Sequence, residues 1–278
     1  MRAKPSLARS LALLAAVTLA LAWAVVPIAW GVVTSLKPAL QILTNPPSWF
    51  PSPATLDHYR EVIGQSLFPV YFRNSVVVTL VSVALGLALS VHAAYALARS
   101  DFRFKGALLV AILATAMIPG IAILVPLYNL SVHTGLYNSF AGMIIVYTAW
   151  SIPQLVWLLK GFFERVPIEL EEAALVDGCS RPRAFYLIAL PMARPGLLAG
   201  TVMAMMFVWN DFLIGFALAI SEERRILPVG LYTFISNIGI DWGPLMAATV
   251  IALLPVMAAF FLMQRWLVQG LMAGAVKG

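Results

Sequence analysis

Ser75–Ala98 reads SVVVTLVSVALGLALSVHAAYALA, a run of 24 residues without a single Asp, Glu, Lys or Arg, with Arg73 before it and Arg99 after it. A helix needs about 20 consecutive apolar residues to cross the hydrocarbon core of a bilayer. Five further stretches qualify or nearly qualify: Leu11–Ser35, Ala107–Leu130, Phe140–Leu159, Leu197–Ile220 and Leu245–Leu267. All are continuously apolar instead of alternating every second residue, which predicts helices and not barrel strands.

Composition points the same way. Of 278 residues, 62% are hydrophobic and 11% charged, whereas soluble domains carry about a quarter charged residues. A chain of this length could not cover a soluble surface with so few charges. The expectation is an all-α integral membrane protein of six transmembrane helices. The lone cysteine, Cys179, excludes an intrachain disulfide framework, and His58, His92 and His133 are too scattered to form a metal cluster. The net charge of +6 comes from basic residues at the edges of apolar runs. That is the signature of membrane topology, not of a phosphate-binding stripe.

The first span follows Arg2, Lys4 and Arg9, as a secretion signal would. Its uncharged run continues from Ser10 to Leu36, through Pro27 and Gly31, well beyond the roughly 7–15 residues of a signal core. It reads as a retained helix. With the N-terminus inside, 13 of the 18 Lys and Arg residues fall on the cytoplasmic side and five outside. An even number of spans then places both termini in the cytoplasm.

Two connections exceed a turn. The outer one, 36–74, contains Asn45-Pro46-Pro47 and Pro51-Ser52-Pro53, then Thr55, which can cap a short helix. Trp49, Phe50, Phe68, Tyr71 and Phe72 suit an interfacial belt. This loop either packs on the bundle or offers a docking surface to an external partner. The inner one, 161–195, reads as two short helices. Pro167 opens the first, and Glu169, Glu171 and Glu172 crowd its first turn, where the helix dipole favours negative charge. Leu170, Ala173 and Ala174 share a narrow face, and Gly178 can end the helix in a left-handed cap. Ser180 and Pro182 open the second helix, while Pro191 and Pro195 bracket the start of span five. By physics alone the hairpin is either a docking element or an interfacial hairpin without a partner.

The string Glu172-Ala173-Ala174-Leu175-Val176-Asp177-Gly178, then nine residues, then Ile188-Ala189-Leu190-Pro191, resembles the EAA loop of permeases in binding-protein-dependent ABC importers. Phe72-Arg73-Asn74-Ser75 opens the core as in such permeases. The tail from Gln264 to Gly278 is similar to that of the MalG-type subunit of maltose-class sugar importers. No departure from the loop pattern is visible, and Cys179 after the glycine is a small neutral filler.

The resemblance implies the type I ABC importer permease fold: one transmembrane domain over 1–278, with an extracytoplasmic loop at 36–74, a coupling loop at 161–195 and a cytoplasmic tail at 268–278. It further implies a second, MalF-like permease subunit, a dimer of cytoplasmic ATPase subunits and an extracytoplasmic sugar-binding protein. On this resemblance Glu169, Glu172, Ala173, Ala174, Asp177, Gly178 and Pro191 couple the chain to the ATPase, with Ala173 and Ala174 permitting close approach. Gly274, Lys277 and Gly278 are candidate tail contacts with it. ATP and Mg belong to that partner, since this chain has no Gly-Lys dipeptide and hence no phosphate-binding P-loop. No catalytic or metal constellation appears. The protein is expected to be a transporter subunit, not an enzyme, in the bacterial cytoplasmic membrane.

Polar groups within spans are costly in lipid and generally face the bundle interior. Asp211 is the only acidic residue deep in an expected span, preceded by Trp209 and Asn210. With Tyr147, Trp150 and Asn129 these residues are candidates for the solute path, with interhelical packing as the plainer alternative. Aromatic faces and amides suit sugar hydroxyls. A di- or oligosaccharide such as maltose or trehalose is the expected cargo, with glycerol-3-phosphate or a polyol as an alternative. A proton-coupled secondary transporter could instead use Asp211 and His92, although such proteins usually show internal repeats.

Overall fold

A computed structural model describes residues 7–64, 67–236 and 238–275, with side-chain surroundings for 9–64, 67–236 and 238–264. In chain order the helices are α1 (Leu7–Ser35), α2 (Ala39–Ile42), α3 (Asp57–Gly64), α4 (Phe68–Arg99), α5 (Lys105–Ala116), α6 (Gly120–His133), α7 (Phe140–Phe163), α8 (Ile168–Val176) and α9 (Arg181–Ala184). After a π turn at Phe185–Ala189 come α10 (Leu190–Met192), α11 (Arg194–Asn210), α12 (Leu213–Leu218), α13 (Leu227–Leu231) and α14 (Trp242–Ala275). One two-residue hairpin, β1 (Ile235–Ser236) against β2 (Gly239–Ile240), is the only sheet among the described residues.

The span count holds, but two spans are broken. The helices α1, α4, α7 and α14 are long and apolar enough to cross a membrane singly. The expected third span, Ala107–Leu130, is instead the pair α5 and α6, bent by 88° at Met117–Pro119. Pro119 has no N–H to continue the ladder and disfavours helical geometry in the residue before it. The segment Arg181–Met192 meets α11 at 72°. Counting each bent pair as one crossing gives six spans. Span five also ends earlier than Ile220: helix α11 stops at Asn210, and Asp211 lies in the break before α12.

The chain divides into two compact units, Met1–Pro69 with Leu231–Leu253, and Val70–Gly230 with Leu254–Gly278. In the first unit the outer loop folds back on the end of α1. The Leu36 carbonyl accepts the Thr55 N–H at 2.9 Å, and the Ser35 and Tyr59 hydroxyls lie 2.7 Å apart. Lys37, only 1% exposed, places its ammonium 4.1 Å from the Trp30 ring centre, and its carbonyl lies 2.9 Å from His58 Nε2. Thr55 Oγ1 accepts the Asp57 N–H at 3.1 Å from the position before the cap, since the Arg60 N–H bonds to the Leu56 carbonyl; Thr55 thus braces the start of α3 without being its N-cap. The expected interfacial belt is partly wrong: Trp49 and Phe50 are exposed, whereas Phe68 and Tyr71 are buried in α4. Tyr71 lies flat against Gly230, where any Cβ would overlap its ring.

The second unit is built around α7, whose Met143, Tyr147, Leu155, Leu159 and Phe163 are fully buried. The helix starts at Ser139, whose hydroxyl accepts the Gly142 N–H at 3.0 Å and donates to the Leu136 carbonyl at 2.6 Å. At its outer end this unit is tied by side-chain amides. Asn138, in the left-handed region at φ 53°, accepts both the N–H and the hydroxyl of Ser221 through its side-chain oxygen. The Asn74 amide donates to the carbonyls of Glu223 and Arg225 at 2.8 and 2.9 Å, and Ser75 Oγ accepts the Leu227 N–H at 2.7 Å. Asn74 and Ser75 of the string that opens the core therefore clamp residues 223–227. Asn74→Ala should destabilise the protein by about 1–3 kcal/mol, because both freed carbonyls lose a buried donor. A thermal melt in detergent that matches the parent protein would contradict this role.

Candidate coupling site and solute cavity

Helix α8 begins after Pro167, with Glu169 and Glu171 in its first turn. It ends as its sequence predicts: Gly178 takes φ +89°, its N–H bonds to the Leu175 carbonyl at 3.1 Å, and the Cys179 N–H to that of Ala174 at 2.9 Å. Only glycine and a few short polar residues adopt that conformation readily.

The helix does not present the face expected of it. Glu171 and Ala174, three apart, point inward at 6% and 8% exposure, whereas Glu169, Leu170, Glu172, Ala173, Leu175 and Val176 are exposed. Of the two alanines, Ala173 is thus open to a partner, while Ala174 packs within the chain. The outward face mixes carboxylates with apolar side chains, Val176 being 87% exposed.

Glu171, which sequence alone places only as a first-turn carboxylate, anchors the helix. Arg99, at the end of α4, donates from Nε to Glu171 Oε1 at 2.8 Å and places Nη2 2.6 Å from the same oxygen. The same Nη2 donates to the Val166 carbonyl at 2.9 Å, and the Tyr95 hydroxyl donates to Glu171 Oε2 at 2.5 Å. The Tyr95 ring packs between Phe163 and Phe185, at 5.5 and 4.5 Å. One turn earlier on α4, His92 Nδ1 lies 2.6 Å from the Ala88 carbonyl, so that nitrogen donates. His92 Nε2 then accepts from the Tyr186 hydroxyl at 2.9 Å. His92 is thus a satisfied structural residue.

Beyond α9 the chain widens into the π turn, where the Leu190 N–H reaches back five residues to the Phe185 carbonyl. Pro191 follows and has no N–H for the Leu187 carbonyl, which leaves the ladder free to slip. Pro191 itself is exposed. Of the tail residues, Gly274 lies within α14, and Lys277 and Gly278 fall outside the described residues.

The solute candidates separate. A cavity of about 320 Å³ brings Trp150 and Asp211 together with Gln154 and Phe207, beneath the break between α5 and α6 at Ile118 and Gly120. Tyr147 is fully buried and donates to Asp211 Oδ1 at 2.9 Å, and the same oxygen accepts the Ile214 N–H at 2.9 Å. Asp211 is therefore not deep in a span. It holds the break after α11 and reaches the cavity rim. Trp209 is buried edge-on against Phe72 at 5.7 Å, and the Asn210 amide turns back to the Met206 carbonyl at 2.7 Å. Asn129 is exposed on α6 and does not line this cavity.

Comparison with known proteins agrees with this architecture. Residues 86–272 match the family described as "Binding-protein-dependent transport system inner membrane component". The chain is 34% identical over 252 residues to the sulfoquinovosyl glycerol transport system permease protein SmoH of Agrobacterium fabrum, covering 91% of this chain and 88% of that one. It is 32% identical over 263 residues to the trehalose transport system permease protein SugB of Mycobacterium tuberculosis, covering 94% and 95%. The crystal structure of a bacterial ABC transporter involved in the import of the acidic polysaccharide alginate superposes with a TM-score of 0.80 at 21% identity, covering 96% of this chain and 100% of that one. That likeness concerns the fold. With more than half of its length inside the family's boundaries, the chain belongs to the binding-protein-dependent transport system inner membrane components, the multi-pass permease subunits of ABC importers whose ATP is hydrolysed by a partner.

Proposed function

We propose that this permease moves a neutral di- or oligosaccharide, maltose- or trehalose-like, handed over by an extracytoplasmic binding protein. The cavity under the α5–α6 break carries the reading: it offers Trp150 and Phe207 as stacking faces, with Gln154 and Asp211 as hydrogen-bonding groups. Sugar hydroxyls and ring faces are recognised by such a mixture of aromatic, amide and carboxylate groups. No Lys or Arg lines that cavity among the described residues, and a phosphorylated solute such as glycerol-3-phosphate would want one beside its dianion. The relative named for trehalose transport supports a neutral disaccharide cargo, whereas sulfoquinovosyl glycerol, named for another relative, is a glycoside with an anionic sulfonate.

On this reading the chain pairs with a second, MalF-like permease and stands on a dimer of ATPase subunits that hold ATP and Mg. The exposed face of α8, with Glu172 and Ala173, seats in the ATPase. Glu169, Asp177, Gly178 and Pro191 shape that hairpin, and the tail residues Gly274, Lys277 and Gly278 add contacts. Closure of the ATPase dimer on ATP draws the hairpins together and swings the spans from inward-facing to outward-facing, a rigid-body change between two states that differ in ATP affinity.

Vesicles containing the complex test this directly. Uptake of labelled trehalose or maltose should require both the binding protein outside and ATP inside, and should persist when a proton ionophore collapses the pH gradient. Uptake that follows the pH gradient without ATP would instead identify a proton-coupled secondary transporter.

A further inference from the structure

We infer that Arg99, Tyr95 and Glu171 form a positioning link through which force on α8 enters the spans, an inference that rests on α8 being the ATPase-docking helix. The two inward residues of α8 between Glu169 and Val176 are a carboxylate and a methyl group, Glu171 and Ala174. Of the larger apolar side chains, Leu170 and Val176 are turned outward, while Ile168 and Leu175 stay more than a third exposed at the edge of the groove that Tyr95, Arg99 and Glu171 line. So α8 is held to its own subunit by only a thin apolar edge, less than the broad stripe that usually seats a surface helix. Ionic, directional bonds supply the buried part of its anchorage.

The bonds converge. Arg99 Nε donates to Glu171 Oε1 at 2.8 Å, with Nη2 in ionic contact with the same oxygen at 2.6 Å, and the Tyr95 hydroxyl donates to Oε2 at 2.5 Å. Arg99 also holds the Val166 carbonyl, just ahead of the proline that opens α8. Both charged side chains are nearly buried, at 14% and 8% exposure. His92, Tyr95 and Arg99 fall at i, i+3 and i+7 on α4, one stripe along the helix. Through it α4 holds both arms of the hairpin: α8 by Tyr95 and Arg99, and the π turn by His92 and Tyr186. A buried ion pair is weak evidence for stability, since a well-packed apolar pair often replaces it without loss. What an apolar pair does not reproduce is resistance to sliding. The guanidinium fork of Arg99, with Nε on Glu171 and Nη2 on the Val166 carbonyl, fixes direction as well as distance at the start of α8, so this link sets where α8 points when it is pulled.

The test uses the complete reconstituted complex and reads sugar transported per ATP hydrolysed. The variant Arg99→Met/Glu171→Met replaces the pair by apolar side chains without leaving a buried lone charge. The complex should assemble and hydrolyse ATP, and sugar moved per ATP should fall about tenfold. Tyr95→Phe removes one hydroxyl and keeps the ring packed, and should fall less. Arg99→Lys keeps the charge without the fork and should not restore coupling. Glu172→Lys, on the outward face, is the control for the underlying reading. If it uncouples while the double variant and Tyr95→Phe transport with the parental ratio, the link is overturned and the docking helix stands. If all of them, Glu172→Lys included, keep the parental ratio, the docking assignment itself falls. If the double variant fails to assemble while Tyr95→Phe couples normally, the pair is structural only and the inference is likewise overturned.

Discussion

Glu172→Lys should reduce ATP-driven uptake by about thirtyfold or more while the protein inserts and accumulates normally. Glu172 is exposed on α8 and has no ion-pair partner among the salt bridges of the described residues, so reversing it breaks no intrachain pair. It borders the groove that Arg99 and Arg181 also line, and Glu172→Gln, which removes the charge without adding a cation there, should show a smaller loss of the same kind. A charge reversal at a formed interface costs on the order of 2 kcal/mol or more, enough for a loss of that size. The neighbouring Glu171 behaves oppositely, because removing it strands the Arg99 guanidinium in a buried site. Membrane yield and uptake, measured together for both variants, separate the two glutamates. Normal uptake by Glu172→Lys at normal expression would show that the outward face of α8 is not the coupling surface.

The second large effect is at the break after α11. Asp211→Ala removes the acceptor of the Tyr147 hydroxyl, whose side chain is fully buried, and of the Ile214 N–H in the first turn of α12. The unpaired hydroxyl costs about 1–3 kcal/mol, and the lost capping oxygen about 1 kcal/mol more. The melting temperature of the detergent-solubilised protein should fall clearly. Asp211→Asn keeps an acceptor oxygen and should fall less, and Tyr147→Phe in the Asp211→Ala background should recover part of the loss. If Asp211→Ala melts with the parent protein but fails in uptake, Asp211 serves the solute alone and its part in the break is negligible.

Much of the frame was legible because lipid demands it: a continuous apolar run has few alternatives to a helix, and the six runs all became helical, four as single helices long enough to cross and two within bent or broken segments. The breaks were not legible. Pro27, Pro126, Pro153 and Pro255 all lie inside helices that continue through them, while Pro119 stands at an 88° bend. Whether a proline kinks or ends a helix depends on which neighbours can take up the freed carbonyl, and that is tertiary information. Asp211 looked like a group deep in a span because its neighbours on both sides are apolar; its capping role needed the turn to be seen. In the EAA hairpin the glycine cap and the proline starts were readable from local chemistry. The inward side of α8 was not. Glu171 and Glu172 are adjacent and chemically alike, and only Arg99, 72 positions away in sequence, distinguishes them.

The π turn at Phe185–Ala189 has a consequence for which length changes the protein tolerates. A turn of α-helix uses about 3.6 residues, and the turn here accommodates one more. Deleting a single residue between Phe185 and Ala189 would let that stretch close to ordinary α geometry, leaving its hydrogen bonds satisfied. Because the wide turn already absorbs that residue, the side chains beyond it would keep nearly their present faces, whereas one deletion in ordinary α-helix turns everything downstream by about 100°. The π turn is thus a slack residue in the hairpin. A single deletion inside it should be tolerated, whereas one in α8 or α9, where no slack exists, would mis-aim span five without unfolding it.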